Sequence, residues 1–220
     1  MKFAAVAFDL DGTLYPDFRL FLRLIPFIIK ENRLLLAMGK ARKKLRNSGS
    51  YEGDFYETQA RLMAEILERS AQEIKELTER LIYRGWEQHF KKIKLFPHIK
   101  ETLELFRSKG LKLGLLSDFP PEKKLEYLGL NKYWDAVVCS EVSGRLKPDP
   151  LPFLDLARNM DIEPGQILYV GNSLSYDVAG AGSAGMSTAL IQRFRKKNPA
   201  GVKPDFIFHD YRKLQKYVLG

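Results

Sequence analysis

Six short apolar runs constrain this chain most. They cover residues 3–8, 111–116, 135–140, 167–170, 188–191 and 206–208. Each is short and bounded by turn residues, as a buried strand is. Helix-length stretches separate several of them. One, at about 99–109, ends at Gly110, a residue type suited to the position after a helix C-terminus. Strands alternating with helices imply a mainly parallel sheet with right-handed crossovers. The expected fold class is α/β, a doubly wound Rossmann-like core.

Residues 15–95 interrupt that alternation and read as helices only. Asp54-Phe55-Tyr56-Glu57 and Ser70-Ala71-Gln72-Glu73 have the form of capping boxes. After the second, Ile74, Leu77, Leu81 and Trp86 follow helical spacing. A first helical stretch, about 18–47, is expected to break or bend near Pro26 and to end near residues 47–50. Three or four helices with one apolar face each form a small bundle. The expected organisation is a core of residues 1–14 and 96–220, with 15–95 inserted after the first strand. Hinges are expected near 15–17 and 95–97.

Composition narrows the setting. The chain has 220 residues, 45% hydrophobic and 29% charged, as in a soluble globular protein. The single cysteine, Cys139, excludes an internal disulfide and points to a reducing compartment, so a cytoplasmic location is expected. His89, His98 and His209 lack metal-ligand spacing. The N-terminal apolar run passes straight into Asp9 and Asp11, unlike a signal peptide. Arg23, Pro26, Lys30, Glu31 and Arg33 break the apolar stretch 20–38, so no transmembrane segment is expected. Net charge is +9, and its excess lies mainly in 15–95, densest at Arg42-Lys43-Lys44 with Arg46. Such a field concentrates anionic substrates and would also suit nucleic acid or an anionic membrane. The plainest reading of the run itself is a solvated helix face.

Four constellations fall at strand ends or in the loops beyond them. Asp9-Leu10-Asp11-Gly12-Thr13 follows the first strand. Its two carboxylates point the same way if the strand continues. Repulsion between them pushes one toward protonation unless a cation joins them. A nucleophile with a proton donor, a Mg²⁺ site, or both would suit. Ser117 ends the second strand. Lys147 lies in Gly144-Arg145-Leu146-Lys147-Pro148-Asp149-Pro150, placed to neutralise developing negative charge. Gly171-Asn172-Ser173-Leu174-Ser175-Tyr176-Asp177 follows a later strand.

Taken singly, each is commonplace. In this order and spacing they resemble the haloacid dehalogenase-like (HAD) hydrolase superfamily over essentially the whole chain. The resemblance implies that Asp9 is a nucleophile forming an aspartyl-phosphate. It implies that Asp11 protonates the leaving oxygen and then activates water. Thr13, Ser117 and Lys147 would hold phosphoryl oxygens. Mg²⁺ would bind Asp9 and the Asp11 carbonyl, with Asn172 and Asp177 completing its shell. Residues 15–95 would be the family's helical cap. One departure stands out: phosphatases of the family usually carry an acid at the position of Asn172. An amide oxygen ligates Mg²⁺ without adding charge. Metal-free dehalogenases of the superfamily carry Asn there too, but lack an acid at the position of Asp11.

The expected function is therefore Mg²⁺-dependent hydrolysis of a small phosphorylated metabolite. The alternatives are a dehalogenase, a phosphotransferase or mutase, and a non-catalytic basic binding protein. The expected partner is a small anionic phosphorylated substrate rather than nucleic acid, and no oligomeric state is implied.

Overall fold

The computed structural model describes residues 2–48, 53–192 and 201–220. Six parallel strands form one sheet in the order β3-β2-β1-β4-β5-β6. They are β1 (Ala5–Phe8), β2 (Lys112–Ser117), β3 (Ala136–Cys139), β4 (Ile167–Gly171), β5 (Ser187–Ile191) and β6 (Phe206–Phe208). The expected runs match them to within two residues. The first helical stretch is expected to end near residues 47–50, of which 49 and 50 lie outside the described residues.

Side chains alternate across β1 and so separate two apolar layers. Val6 and Phe8 join Leu113, Leu115, Leu168 and Val170 beneath helices α6 (Ile99–Ser108), α7 (Glu122–Leu128) and α10 (Tyr211–Leu219). Ala5 and Ala7 join Ile167 and Tyr169 beneath α8 (Leu151–Met160) and α9 (Ala179–Ser183). Ala5, Ala7 and Gly114 on this face let α8 lie close. A Cβ on Gly114 would stand 2.8 Å from Met160 Sδ. Phe153 of α8 is wholly buried, its ring 4.9 Å from that of Tyr169.

Between β1 and β2 come α1 (Asp17–Lys30), α2 (Asn32–Asn47), α3 (Phe55–Leu67), α4 (Ala71–Thr78) and α5 (Glu87–Phe90). Asp54 and Ser70 cap α3 and α4, accepting from the N–H of Glu57 (2.9 Å) and of Glu73 (3.2 Å). A π-helical turn, Glu79–Tyr83, continues α4. Leu34, Ala37, Met38 and Ala41 of α2 pack on Ala60, Met63 and Ala64 of α3 and on Ile74 of α4. Two expectations shift. The break falls at Glu31, not at Pro26, which sits inside α1 on its exposed side. There its ring removes only the bond to an outward carbonyl. Trp86 lies beyond the π-helical turn and packs back on the bundle.

The chain leaves β1 to reach β2 on one side, while β4 lies on the other. That reversal opens a crevice at the C-terminal edge beside β1. Core packing sets stability here. Phe153→Ala should cost about 3–5 kcal/mol, the usual range for a fully buried aromatic. Urea unfolding measures it as a lower midpoint at unchanged slope.

Candidate active site

The turn after β1 separates the two aspartates that share the first motif. The Asp9 N–H still donates to Val170 O of β4 (2.9 Å). Then Leu10 O accepts from Thr13 N (3.3 Å) and Leu14 N (3.0 Å), which turns the chain out of the sheet. Gly12 takes φ +83°, and a Cβ there would lie 1.8 Å from Asn172 Nδ2. The strand thus stops at Phe8, so the carboxylates of Asp9 and Asp11 do not point together as a continuing strand would require.

Asp9 is buried and fully engaged. Its Oδ1 accepts from Lys147 Nζ at 2.7 Å, and its Oδ2 from Thr13 Oγ1 at 2.7 Å. Tyr211 Oη donates to Thr13 O at 2.6 Å and fixes the turn from below. Lys147 Nζ also donates to Asp177 Oδ1 at 2.8 Å. The other Asp177 oxygen accepts from the N–H groups of Asn172 (3.1 Å) and Ser173 (3.0 Å). A Cβ on Gly171 would stand 2.3 Å from Asp177 Cβ, so glycine ends β4. Burial opposes the Lys147 charge, but Asp177 and Asp9 outweigh it and hold the ammonium well above its ordinary pKa. Burial lifts Asp9 to about 7, with Lys147 opposing and Asp177 adding.

Asp11 faces the other way. Its carboxylate accepts from Lys124 Nζ at 2.7 and 2.9 Å and from the Tyr15 hydroxyl. It lines a cavity of about 560 Å³ between the sheet edge and the helical segment. Ser117 ends β2, the strand beside β1, and is fully buried, its Oγ accepting from Phe119 N at 3.2 Å.

The expected metal ligands divide. The Asn172 side chain lies on the Asp11 carbonyl, Nδ2 to O 3.1 Å, at the turn that carries Asp9. Amide orientation is an assignment, and a flip presents Oδ1 there instead. Carboxylate, carbonyl and amide oxygens are hard donors of the kind Mg²⁺ takes. These residues fit Mg²⁺. Asp177, the other expected ligand, lies across Lys147 from Asp9, its oxygens accepting from Lys147 Nζ and from the loop amides.

Sequence reading missed a second charged layer. Asp118 accepts from Ser140 Oγ (2.6 Å), from the Lys147 N–H (3.1 Å) and from Arg46 (2.7 Å). Burial works against its charge, and Lys147, Arg42 and Arg46 outweigh it, holding its pKa below the usual carboxylate range. Arg46 Nε also donates to Lys147 O at 2.9 Å. Arg42 is buried and pairs with Glu141, which Tyr83 also contacts at 3.1 Å. The basic run on α2 is therefore only half solvated: Lys43 and Lys44 are exposed, while Arg42 and Arg46 turn to the core. Their spacing of four, one helix face, was the available signal. Nothing local marked Lys124, whose partner lies 113 positions away.

The model of the family described as haloacid dehalogenase-like hydrolase matches residues 3–185. A glyceraldehyde 3-phosphate phosphatase of Methanothermobacter thermautotrophicus is 29% identical over 193 residues, 85% of this chain and 84% of that protein. Its namesake from Methanopyrus kandleri is 37% identical over 107 residues, 47% of this chain and less than half, 46%, of the relative. A 2-haloacid dehalogenase structure from Pseudomonas syringae superposes with TM-score 0.71 at 24% identity, covering 99% and 98% of the two chains. That last likeness is one of fold. The four loops at one sheet edge and the family match over most of the chain lead to one assignment: this enzyme belongs to the haloacid dehalogenase-like hydrolases.

Proposed function

We propose that the protein is a Mg²⁺-dependent phosphatase that hydrolyses a phosphomonoester through an aspartyl-phosphate on Asp9. The observation that carries this reading is the buried Asp9, held by Lys147 and Thr13 at 2.7 Å each, beside an Asp11 that faces the cavity. The phosphatase relatives support it.

In this reading an Asp9 oxygen attacks phosphorus and the bond to the leaving oxygen breaks. Asp11 gives that oxygen its proton and the alcohol departs. Asp11 then takes a proton from water, which attacks the aspartyl-phosphate. Inorganic phosphate leaves and Asp9 is restored. Tyr15 and Lys124 orient Asp11. Lys147, Thr13 and Ser117 stand by the phosphoryl oxygens, where positioning and charge neutralisation supply most of the rate. Asp9, the Asp11 carbonyl and Asn172 would hold Mg²⁺, which supplies positive charge to the phosphoryl group when bound.

Residues 15–95 act as a cap over the crevice. Their entry and exit run side by side, with Phe96 N donating to Leu14 O at 2.9 Å, as a paired hinge requires. A cytoplasmic location is supported by the lone buried Cys139. No helix among the described residues is long and apolar enough to cross a membrane.

Dehalogenation is the second reading, favoured by Asn172 and opposed by Asp11. Phosphate and chloride release, measured on phosphomonoesters and on 2-halo acids, separate the two. Phosphate release expected here and chloride release alone would reverse the order.

Asp9→Asn should abolish phosphate release, because an amide cannot form the covalent intermediate. Asp11→Asn should slow it by roughly 10²–10⁴-fold, the worth of general acid–base catalysis. Single-turnover assays on an activated aryl phosphate check both, and normal turnover by Asp9→Asn rules the nucleophile out.

Asn172→Asp should lower the Mg²⁺ concentration needed for half-maximal activity several-fold, since a carboxylate attracts a divalent cation more than an amide dipole does. Metal titration of both forms gives the comparison. An unchanged midpoint removes Asn172 from the metal shell.

A further inference from the structure

The cavity beside Asp11, about 560 Å³, has an inner wall of Leu20, Ile82, Tyr83, Trp86, Phe90 and Phe119. The Phe119 ring lies 6.5 Å from Trp86 and 6.2 Å from Tyr83. This is a continuous aromatic surface, of the kind that takes rings by offset or edge contact. A two- or three-carbon polar body would leave most of that volume to water.

The charged groups on the wall point the same way. Lys124 is paired with Asp11 at 2.7 Å, Arg84 with Glu79 at 2.8 Å and Lys123 with Glu126 at 2.8 Å. Each cation on the wall has a carboxylate partner, held firmly in the largely buried Lys124–Asp11 pair and weakly in the exposed Arg84–Glu79 and Lys123–Glu126 pairs. Three further wall acids, Asp17, Glu87 and Glu122, have no ion-pair partner among the described residues. A second anion on a substrate, whether carboxylate or phosphate, would meet these acids and no free cation. Removing such an anion from water without a partner is strongly unfavourable. The phosphoryl group itself is served on the other side of Asp11, by Lys147 and the loops around it.

We infer that the leaving group is an uncharged, largely apolar body carrying an aromatic ring, so that the substrate class is the phosphomonoester of a hydrophobic alcohol. This rests on the phosphatase reading above and narrows it. It sets the protein apart from the small polar ester in its relatives' names. Specificity then lies with Trp86 and with the edge of Phe119, over whose ring the Arg42 guanidinium already stacks at 4.2 Å, and with the Glu79–Arg84 pair, which keeps a cation from reading a second anion.

Two non-hydrolysable probes test this on the full chain with Mg²⁺, by calorimetry. Phenethylphosphonate carries the ring, and phosphonopropionate carries a carboxylate on a similar tether. The aromatic probe should bind about 30-fold more tightly, the yield of burying one ring. Phe119→Ala and Trp86→Ala should each cut that preference about tenfold. Glu79→Gln frees Arg84 and should strengthen phosphonopropionate several-fold while leaving phenethylphosphonate nearly unchanged. Equal affinity for the two probes, or a preference for phosphonopropionate, overturns the inference. Phosphate release from phenethyl phosphate and ethyl phosphate is scored separately. Binding preference without release from either ester keeps the hydrophobic pocket and removes the phosphatase reading. Release without binding preference does the reverse.

Discussion

A single buried ammonium holds this structure's chemistry together. Lys147 Nζ lies 2.7 Å from Asp9 and 2.8 Å from Asp177, and all three side chains are almost fully buried. Buried charges persist only when closely paired and hydrogen-bonded, and breaking such a pair costs about 3–5 kcal/mol. The loops after β1, β3 and β4 must therefore meet at one point. The remaining loop, after β2, joins through Asp118, which accepts the Lys147 N–H. Catalytic geometry and the packing of the sheet edge are the same set of contacts.

The helical segment is tied to this centre by charge as well as by apolar packing. Arg46 reaches Lys147 O and Asp118, while Arg42 reaches Glu141. Tyr83 and Trp86 meet Phe119 of the core. Arg46 contacts the backbone of the residue whose side chain grips Asp9, so the position of α2 and that of Asp9 are mechanically linked. Arginine suits the task, because its planar fork serves a carboxylate and a carbonyl together.

The same fold supports dehalogenases and phosphatases, so architecture leaves the reaction open. What distinguishes this chain lies in few atoms. Asp11 places a carboxylate on the wall of the cavity, paired with Lys124. Asn172 places an uncharged amide on the carbonyl of Asp11, its Nδ2 donating at 3.1 Å. The aromatic wall stands where the rest of a substrate would lie.

The amino-acid sequence alone determined the sheet, the insertion and the four loops. Those follow from local rules: apolar runs of strand length, capping residues such as Asp54 and Ser70, and glycines at turns. The family match then confirmed the fold class and the enzyme class. The partners of the charged groups were decided only by tertiary structure. Asp9 and Asp11, two positions apart, part company because Gly12 turns the chain out of the sheet. Asp177 faces Lys147 because the loop after β4 folds back on the site. Arg42 and Arg46 share one helix face by their spacing, but only the packing of α2 decides that this face, and not that of Lys43 and Lys44, turns inward. Lys124 finds Asp11 across 113 positions of chain. Periodicity and turn chemistry are short-range, so they place elements. Ion pairs depend on which elements the packed core brings together, and no local pattern records that.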